Sequence, residues 1–408
     1  MRENEKPVST GFRTQCRRMF ARVVTRPISL LFCETQAILL AIVSMTVGST
    51  IIGVAKANEK VNRAPFTLYG KWEHKLRSVF ALCRSSLSVS IRRMILGPRL
   101  PNWSWNTEVA IHFLKAQTIT GFQMHDHEEA RAYEDALVFN SPALARMDID
   151  AVSSPVKGHW YQPRSGNRAI TLLYLHGGGY AYYSKAHQNL IALVTLAVEA
   201  KTFALDYRLT PEHPFPAQLE DALAAYQWLL EMGTDPHNLV IVGDSAGGNL
   251  TLALLLSLRD ANRALPAMAI CIAPWTDVEN SGESMTKNEP YDWVEKRMAV
   301  QWAEWLCKGA DPRNPLISPI HANLKRLPPI YVQAGEAEIL YDMIREFAAR
   351  AAGQGANVRL EAWKNMNHDF PAFGDMTPES KEALHRIRQV VDQHVLCSDT
   401  VRQTDSHP

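Results

Sequence analysis

Gly243-Asp244-Ser245-Ala246-Gly247-Gly248-Asn249 follows the apolar run Leu239-Val240-Ile241-Val242. A nearly continuous apolar stretch, Leu250 to Leu258, comes after it, broken only by Thr251 and Ser257. This order predicts a buried strand, a sharp turn and a buried helix, with a serine at the turn. G-x-S-x-G in that setting is the nucleophile elbow, a strained turn that holds the serine hydroxyl at the carboxyl end of a sheet. Side chains at Gly243 and Gly247 would collide with the neighbouring strand and helix. A small-residue turn with no chemistry is the alternative, and the flanking elements argue against it.

Upstream, Ile170-Thr171-Leu172-Leu173-Tyr174-Leu175 reads as a buried parallel strand and runs into His176-Gly177-Gly178-Gly179-Tyr180. A glycine triplet after a strand supplies one side of an oxyanion hole. The donors expected are the N–H groups of Gly177, Gly178 and Ala246. A phosphate cradle is the other use of such a loop, but G-x-x-x-x-G-K-[S/T] is absent.

The partners of an elbow serine follow it in the order acid, then histidine. The strand Pro329 to Ala334 ends at Gly335 and leads to Glu338 and Asp342. The strand Val358 to Trp363 leads to His368. Both strand ends belong at the edge that carries Ser245. Ser245, Glu338 and His368 are therefore the expected catalytic set, with Asp342, about one helical turn further on, as the second candidate for the acid. Tyr180, Tyr183 and Trp275 are expected to line an apolar substrate pocket.

These residues carry a family resemblance. Together with Asp206 to Ala217 (DYRLTPEHPFPA), Ala273-Pro274-Trp275-Thr276-Asp277 and His368-Asp369-Phe370, they make the chain similar to the hormone-sensitive-lipase-like branch of the α/β-hydrolase superfamily over roughly residues 150–395. The resemblance implies a carboxylic ester hydrolase with an N-terminal helical cap. Two positions depart from the family pattern. Glu338 stands where Asp is usual, and Asp369 where Gly is more frequent. Asp369 is therefore expected to perturb the histidine and the working pH. In the Asp206–Ala217 block, Arg208 and Glu212 are expected to pair and brace the elbow. Asp244 and Asp277 are expected to be structural hydrogen-bonders.

Seven strands are expected at 156–161, 170–175, 201–206, 238–242, 267–272, 329–334 and 357–363, with helices such as 187–199, 216–231 and 338–353 between them. That alternation predicts an α/β fold: a mostly parallel sheet covered on both faces. Residues 283–306, with Trp293, Trp302 and Trp305, are expected to complete the cap. Thr377-Pro378 should open a last helix to about Val395. The chain divides into a basic, membrane-anchoring segment (1–55), cap and juxtamembrane helices (56–150), a catalytic domain (151–396) and a polar, disordered tail (397–408).

The 408 residues carry a net charge of +1, which gives no general attraction to nucleic acid. The six cysteines show no zinc spacing and lie mostly in apolar or basic runs, so neither a structural metal nor a disulfide framework is expected. His125-Asp126-His127-Glu128-Glu129 is expected as a solvated cap turn or a helix start rather than a metal cluster. The chemistry needs no cofactor.

Ala37 to Ala55 holds nineteen residues without a charge, close to the roughly 20 that span a bilayer as a helix. The preferred reading is a transmembrane anchor. A signal peptide cut near Ala55-Lys56-Ala57 and a helix buried against the cap are the alternatives. Basic residues flank both ends and set no orientation. Asn102-Trp103-Ser104 is a glycosylation acceptor pattern. Resemblance to arylacetamide deacetylase and the fungal steryl acetyl hydrolases implies a single span with the catalytic domain in the lumen of the endoplasmic reticulum.

The function expected is removal of a short acyl group from a hydrophobic alcohol, sterol or secondary metabolite. A long-chain lipid lipase is one alternative. A ligand receptor on the same fold is another, weakened by the presence of His368. An idle membrane scaffold is the third.

Overall fold

The computed structural model describes residues 65–396 apart from residue 167. The stretch Ala37 to Ala55 and the tail 397–408 lie outside the described residues. Among the described residues, no helix is long and apolar enough to cross a membrane.

A small antiparallel pair, β1 (Phe66–Leu68) and β2 (Leu137–Phe139), brackets three helices: α1 (Trp72–Leu96), α2 (Trp105–Phe122) and α3 (His127–Glu134). The main sheet and its helices follow as β3 (Met147–Val152), β4 (Gly158–Pro163), β5 (Thr171–Leu175), α4 (Lys185–Val198), β6 (Lys201–Leu205) and α5 (Ala217–Glu231). Then come β7 (Leu239–Asp244), α6 (Ser245–Asp260), β8 (Met268–Ile272), α7 (Lys296–Cys307), β9 (Ile330–Gly335), α8 (Tyr341–Gly353), β10 (Val358–Trp363) and α9 (Pro378–Val391). The eight strands run in the order β10-β9-β8-β7-β5-β6-β4-β3. From β10 to β6 every pairing is parallel, while β4 is antiparallel to β6 and β3 to β4.

Every residue of β5 and β7 is buried. Strands covered on both faces need continuous apolar runs, which is how these two read in the sequence. β3 obeys a different rule. It is an edge strand with mostly exposed side chains, and its sequence MDIDAV carries little apolar signal. Sequence patterning misses it for that reason, and the sheet starts at Met147.

The cap helices start and stop on local signals. Ser104 caps α2 by accepting from the Thr107 N–H, and Asp126 caps α3 by accepting from Glu129. His125 to Glu129 is thus a helix start, and His127 lies edge-on to Trp305. Thr377 caps α9 with Pro378 at its first position. The cap is tied to the sheet domain by Arg99 on the Pro290 carbonyl and the Trp103 indole on the Asn365 carbonyl, each at 2.6 Å.

The expected Arg208–Glu212 pair does not form. Arg208 pairs with Asp221 and Glu220 on the following helix, α5. Glu212 instead takes a two-pronged contact from Arg131 of α3, which also donates to the carbonyls of Thr210 and Ala181. The helix presents its carboxylates to Arg208 one turn on, while Glu212 points toward the cap.

Candidate active site

Ser245 opens α6 directly after β7 with φ of 53°, a left-handed conformation that costs roughly 1–3 kcal/mol for a residue with a side chain. The surroundings enforce it. A Cβ on Gly243 would strike the Gly247 carbonyl, and one on Gly247 would strike the carbonyls of Leu175 and His176. The hydroxyl stands 2.9 Å from His368 Nε2. On the far side of the ring, Nδ1 lies 2.9 Å from Glu338 Oε2. Glu338 and His368 are buried, and they come from the loops after β9 and β10. The carboxyl ends of three parallel strands, β7, β9 and β10, thus bring together residues 123 and 30 positions apart. Asp342 is not part of this chain: its carboxylate accepts from the Ser284 N–H and contacts Arg345.

Asp292 was not legible as a site residue. Fully buried, it accepts from the backbone N–H groups of Ile339, Trp293 and His368, and so fastens the acid loop to the histidine loop. The indole N–H of Trp293 donates to the His368 carbonyl. No motif announces Asp292; only the fold brings residue 292 to residues 339 and 368.

Asp369 occupies a left-handed position, φ 51°, where glycine costs less. Its Oδ2 lies 3.2 Å from His368 Nε2, the same nitrogen that faces Ser245. Burial pushes the carboxyls of Asp244, Asp292 and Asp369 above their usual range, and Glu338 up to about 7. Burial also opposes charge on His368. The carboxylates of Asp369 and Glu338, with Asp292 behind them, outweigh that and carry it up to about 10.

The glycine loop corrects one expectation. The Gly177 N–H donates to Asp244 Oδ2 at 3.0 Å, so it is committed to the scaffold. Asp244 also accepts from the Tyr174 hydroxyl, which confirms its structural part. Gly178 and Gly179 have φ of 93° and 62°, and among the described residues their N–H groups meet no acceptor. The Ala246 N–H, in the first turn of α6, has no carbonyl within the helix to bond. The free donors are Gly178, Gly179 and Ala246.

The three aromatic residues expected in a substrate pocket are held in the scaffold. The Tyr180 hydroxyl donates to Asn249, the Tyr183 ring stacks on His176 at 4.0 Å, and the Trp275 indole donates to Asn280. Trp302 of α7 lies against the glycine loop instead: a Cβ on Gly179 would strike its ring. Tyr182 meets Trp302 edge-on. The sequence placed Trp302 in the cap without revealing that it reaches the glycine loop.

A hydroxyl bonded to an imidazole, an imidazole bonded to a carboxylate, and converging free N–H groups form a set able to carry acyl transfer. Comparison with known proteins agrees. Residues 172–372 match the family described as alpha/beta hydrolase fold. An acetyl-hydrolase of Streptomyces hygroscopicus is 42% identical over 228 residues, covering 55% of this chain and 76% of that protein. This chain belongs to the hormone-sensitive-lipase-like α/β-hydrolases. An esterase of Acinetobacter venetianus is 32% identical over 221 residues, 53% of this chain and 73% of its own. A solved esterase of the bacterial hormone-sensitive lipase family superposes with a TM-score of 0.60 at 32% identity, covering 80% of this chain and all of that one. As a member of this family the chain is a serine carboxylic ester hydrolase.

Proposed function

We propose that this hydrolase removes short acyl groups from a hydrophobic alcohol, with Ser245 as nucleophile, His368 as general base and Glu338 as the group that orients it. The Ser245 oxygen attacks the ester carbonyl and its proton passes to His368 Nε2. The resulting oxyanion is met by the N–H groups of Gly178, Gly179 and Ala246, each donor contributing roughly 3–4 kcal/mol in comparable sites. His368 then returns the proton to the leaving alcohol. Water repeats the cycle on the acyl-serine and releases the acid. Glu338 fixes the imidazole tautomer and stabilises the imidazolium. The observation that carries this reading is the pair of 2.9 Å contacts linking Ser245, His368 and Glu338.

The short acyl preference rests on Trp302. Its indole packs directly against Gly179 and narrows the space beside the oxyanion donors. The name of the Streptomyces relative, an acetyl-hydrolase, points the same way. A p-nitrophenyl ester series from acetate to palmitate tests it. Turnover peaking at two to four carbons is expected; a peak at long chains would replace this reading with a lipid hydrolase.

The location is proposed too: the uncharged stretch Ala37 to Ala55 as a single-span anchor, with the hydrolase in the lumen of the endoplasmic reticulum. Its length and lack of charge support the anchor. Release from membranes by alkaline carbonate would contradict the anchor, and absence of a glycan on Asn102 in a eukaryotic host would count against the lumenal placement.

A further inference from the structure

α1 is built inside out. Its buried positions are largely small and polar: His74, Ser78, Ser85, Ser86 and Ser90, with only Leu82 and Val89 as apolar neighbours. Its outward side carries Trp72, Leu76, Phe80, Leu87, Ile91 and Met94. Spacings of four, four, seven, four and three place these six on one stripe of the helix. Phe80 is 70% exposed and Trp72 63%. Of the fourteen large hydrophobic residues exposed among the described residues, eight belong to this one helix. A helix in a water-facing cap is expected to do the opposite.

The charges on α1 say what covers the stripe. The helix holds Lys75, Arg77 and Arg84 beside a single acid of its own, Glu73, with Arg92 and Arg93 paired to Glu108 of α2, while the whole chain carries only +1. Arg77 and Arg84 are exposed and run along one edge of the stripe. Behind that edge a cavity of about 330 Å³ opens between α1 and α2, lined by Arg84, Arg92, Arg99, His112 and Lys115 with only Glu108 and Asp292 as acids. A second copy of the helix would set cationic edge against cationic edge. The uncharged stretch Ala37 to Ala55 could cover the apolar residues but offers nothing to the arginines. A bilayer surface with anionic headgroups satisfies both, since apolar side chains enter the acyl boundary while Arg and Lys stay at headgroup level.

We propose that α1 lies flat on an anionic phospholipid surface, with Trp72, Leu76, Phe80, Leu87, Ile91 and Met94 immersed and Arg77 and Arg84 on the headgroups. This contact is independent of the anchor and of the ester chemistry. It holds this side of the cap against the membrane, where hydrophobic esters concentrate.

The test uses the full chain with the photocrosslinker p-benzoylphenylalanine in place of Phe80 or, as a remote exposed control, Met232. Vesicles are phosphatidylcholine alone or with 30% phosphatidylserine, a probe composition chosen near that of an anionic leaflet. Mass spectrometry identifies the partner. Lipid adducts at position 80 on anionic vesicles, roughly tenfold above those at 232, are expected for side chains at the acyl boundary. Arg77→Glu with Arg84→Glu should cut that yield several-fold and leave p-nitrophenyl acetate turnover unchanged, which also reports folding. Crosslinks into residues 37–55, crosslinks to a second chain, or lipid yields no higher than at position 232 would overturn the proposal. Equal yield on neutral vesicles, unmoved by the charge reversal, would overturn its anionic part. Because the readout is the partner of one side chain, a failed anchor and a failed docking surface give different results.

Discussion

α6 and α1 are packed by opposite rules. α6 buries twelve of its sixteen residues, mostly leucine and alanine, between β7, β8 and the rest of the sheet domain. α1 turns serines inward and leucine, phenylalanine and tryptophan outward. The first is a helix whose job is to fix one hydroxyl. Its start is strained at Ser245 and needs a dense core to hold that strain. The second has little stake in the core, and its apolar residues face whatever lies outside. Amphipathicity read from sequence alone does not say which face is in.

The comparison yields five expectations, from the largest effect to the smallest. Ser245→Ala should lower kcat by a factor of about 10⁴ or more, as loss of a triad nucleophile does elsewhere. Activity within tenfold of the parent would remove Ser245 from the chemistry. Leu254→Ala, deep in α6, should cost about 2–5 kcal/mol in chemical denaturation, through lost burial and the cavity left behind. A smaller cost would mean the elbow is held less rigidly than its strain requires. Trp302→Ala should shift the preferred acyl chain by several carbons toward longer esters, with kcat/KM for octanoate rising roughly tenfold, about 1.4 kcal/mol of new contact. An unchanged profile would free Trp302 from any part in acyl selection.

The fourth concerns pH. His368 must be neutral to accept the serine proton, and its carboxylate neighbours raise it to about 10. The acid limb of kcat/KM should therefore lie on the alkaline side of the ordinary imidazole range near 6.5. Asp369→Asn keeps the shape and the left-handed backbone but removes one charge, so that limb should move to lower pH, with more activity near neutrality. A limb that stays in place would show that Asp369 does not reach the histidine. The same sign governs stability. A histidine raised in the folded state stabilises fully below about 6.5, and that contribution is lost as pH climbs toward its folded value. Last, Phe80→Ser on α1 should change stability by less than about 0.5 kcal/mol, because the ring is 70% exposed. A cost near that of Leu254→Ala would mean the stripe is already covered.

Much of the site was legible because its residues lie at strand ends, and the strands announce themselves. β5, β7 and β8 are nearly continuous apolar runs, β9 is broken by Gln333 and β10 (VRLEAW) alternates, so the loops carrying Ser245, Glu338 and His368 could be placed on one edge before any coordinates. The steric need for Gly243 and Gly247 was equally plain. What escaped depends on contacts between distant segments. Asp244 claims the Gly177 N–H and moves the free donors one residue along, which no local pattern encodes. Asp292 clasps two loops from a segment whose sequence reads as cap. Arg131 reaches across from α3 to take Glu212 away from Arg208. β3 hid because an exposed edge strand needs no apolar face.

The most direct test of the central claim is covalent. The full chain would be treated with a short-chain phosphonate ester that traps serine nucleophiles, then digested and mapped by mass spectrometry while esterase activity is followed. One phosphonyl group on Ser245, formed in step with the loss of activity and absent from His368→Ala, is the predicted result. Full modification of Ser245 with activity intact, or activity lost through a label elsewhere, would contradict the account.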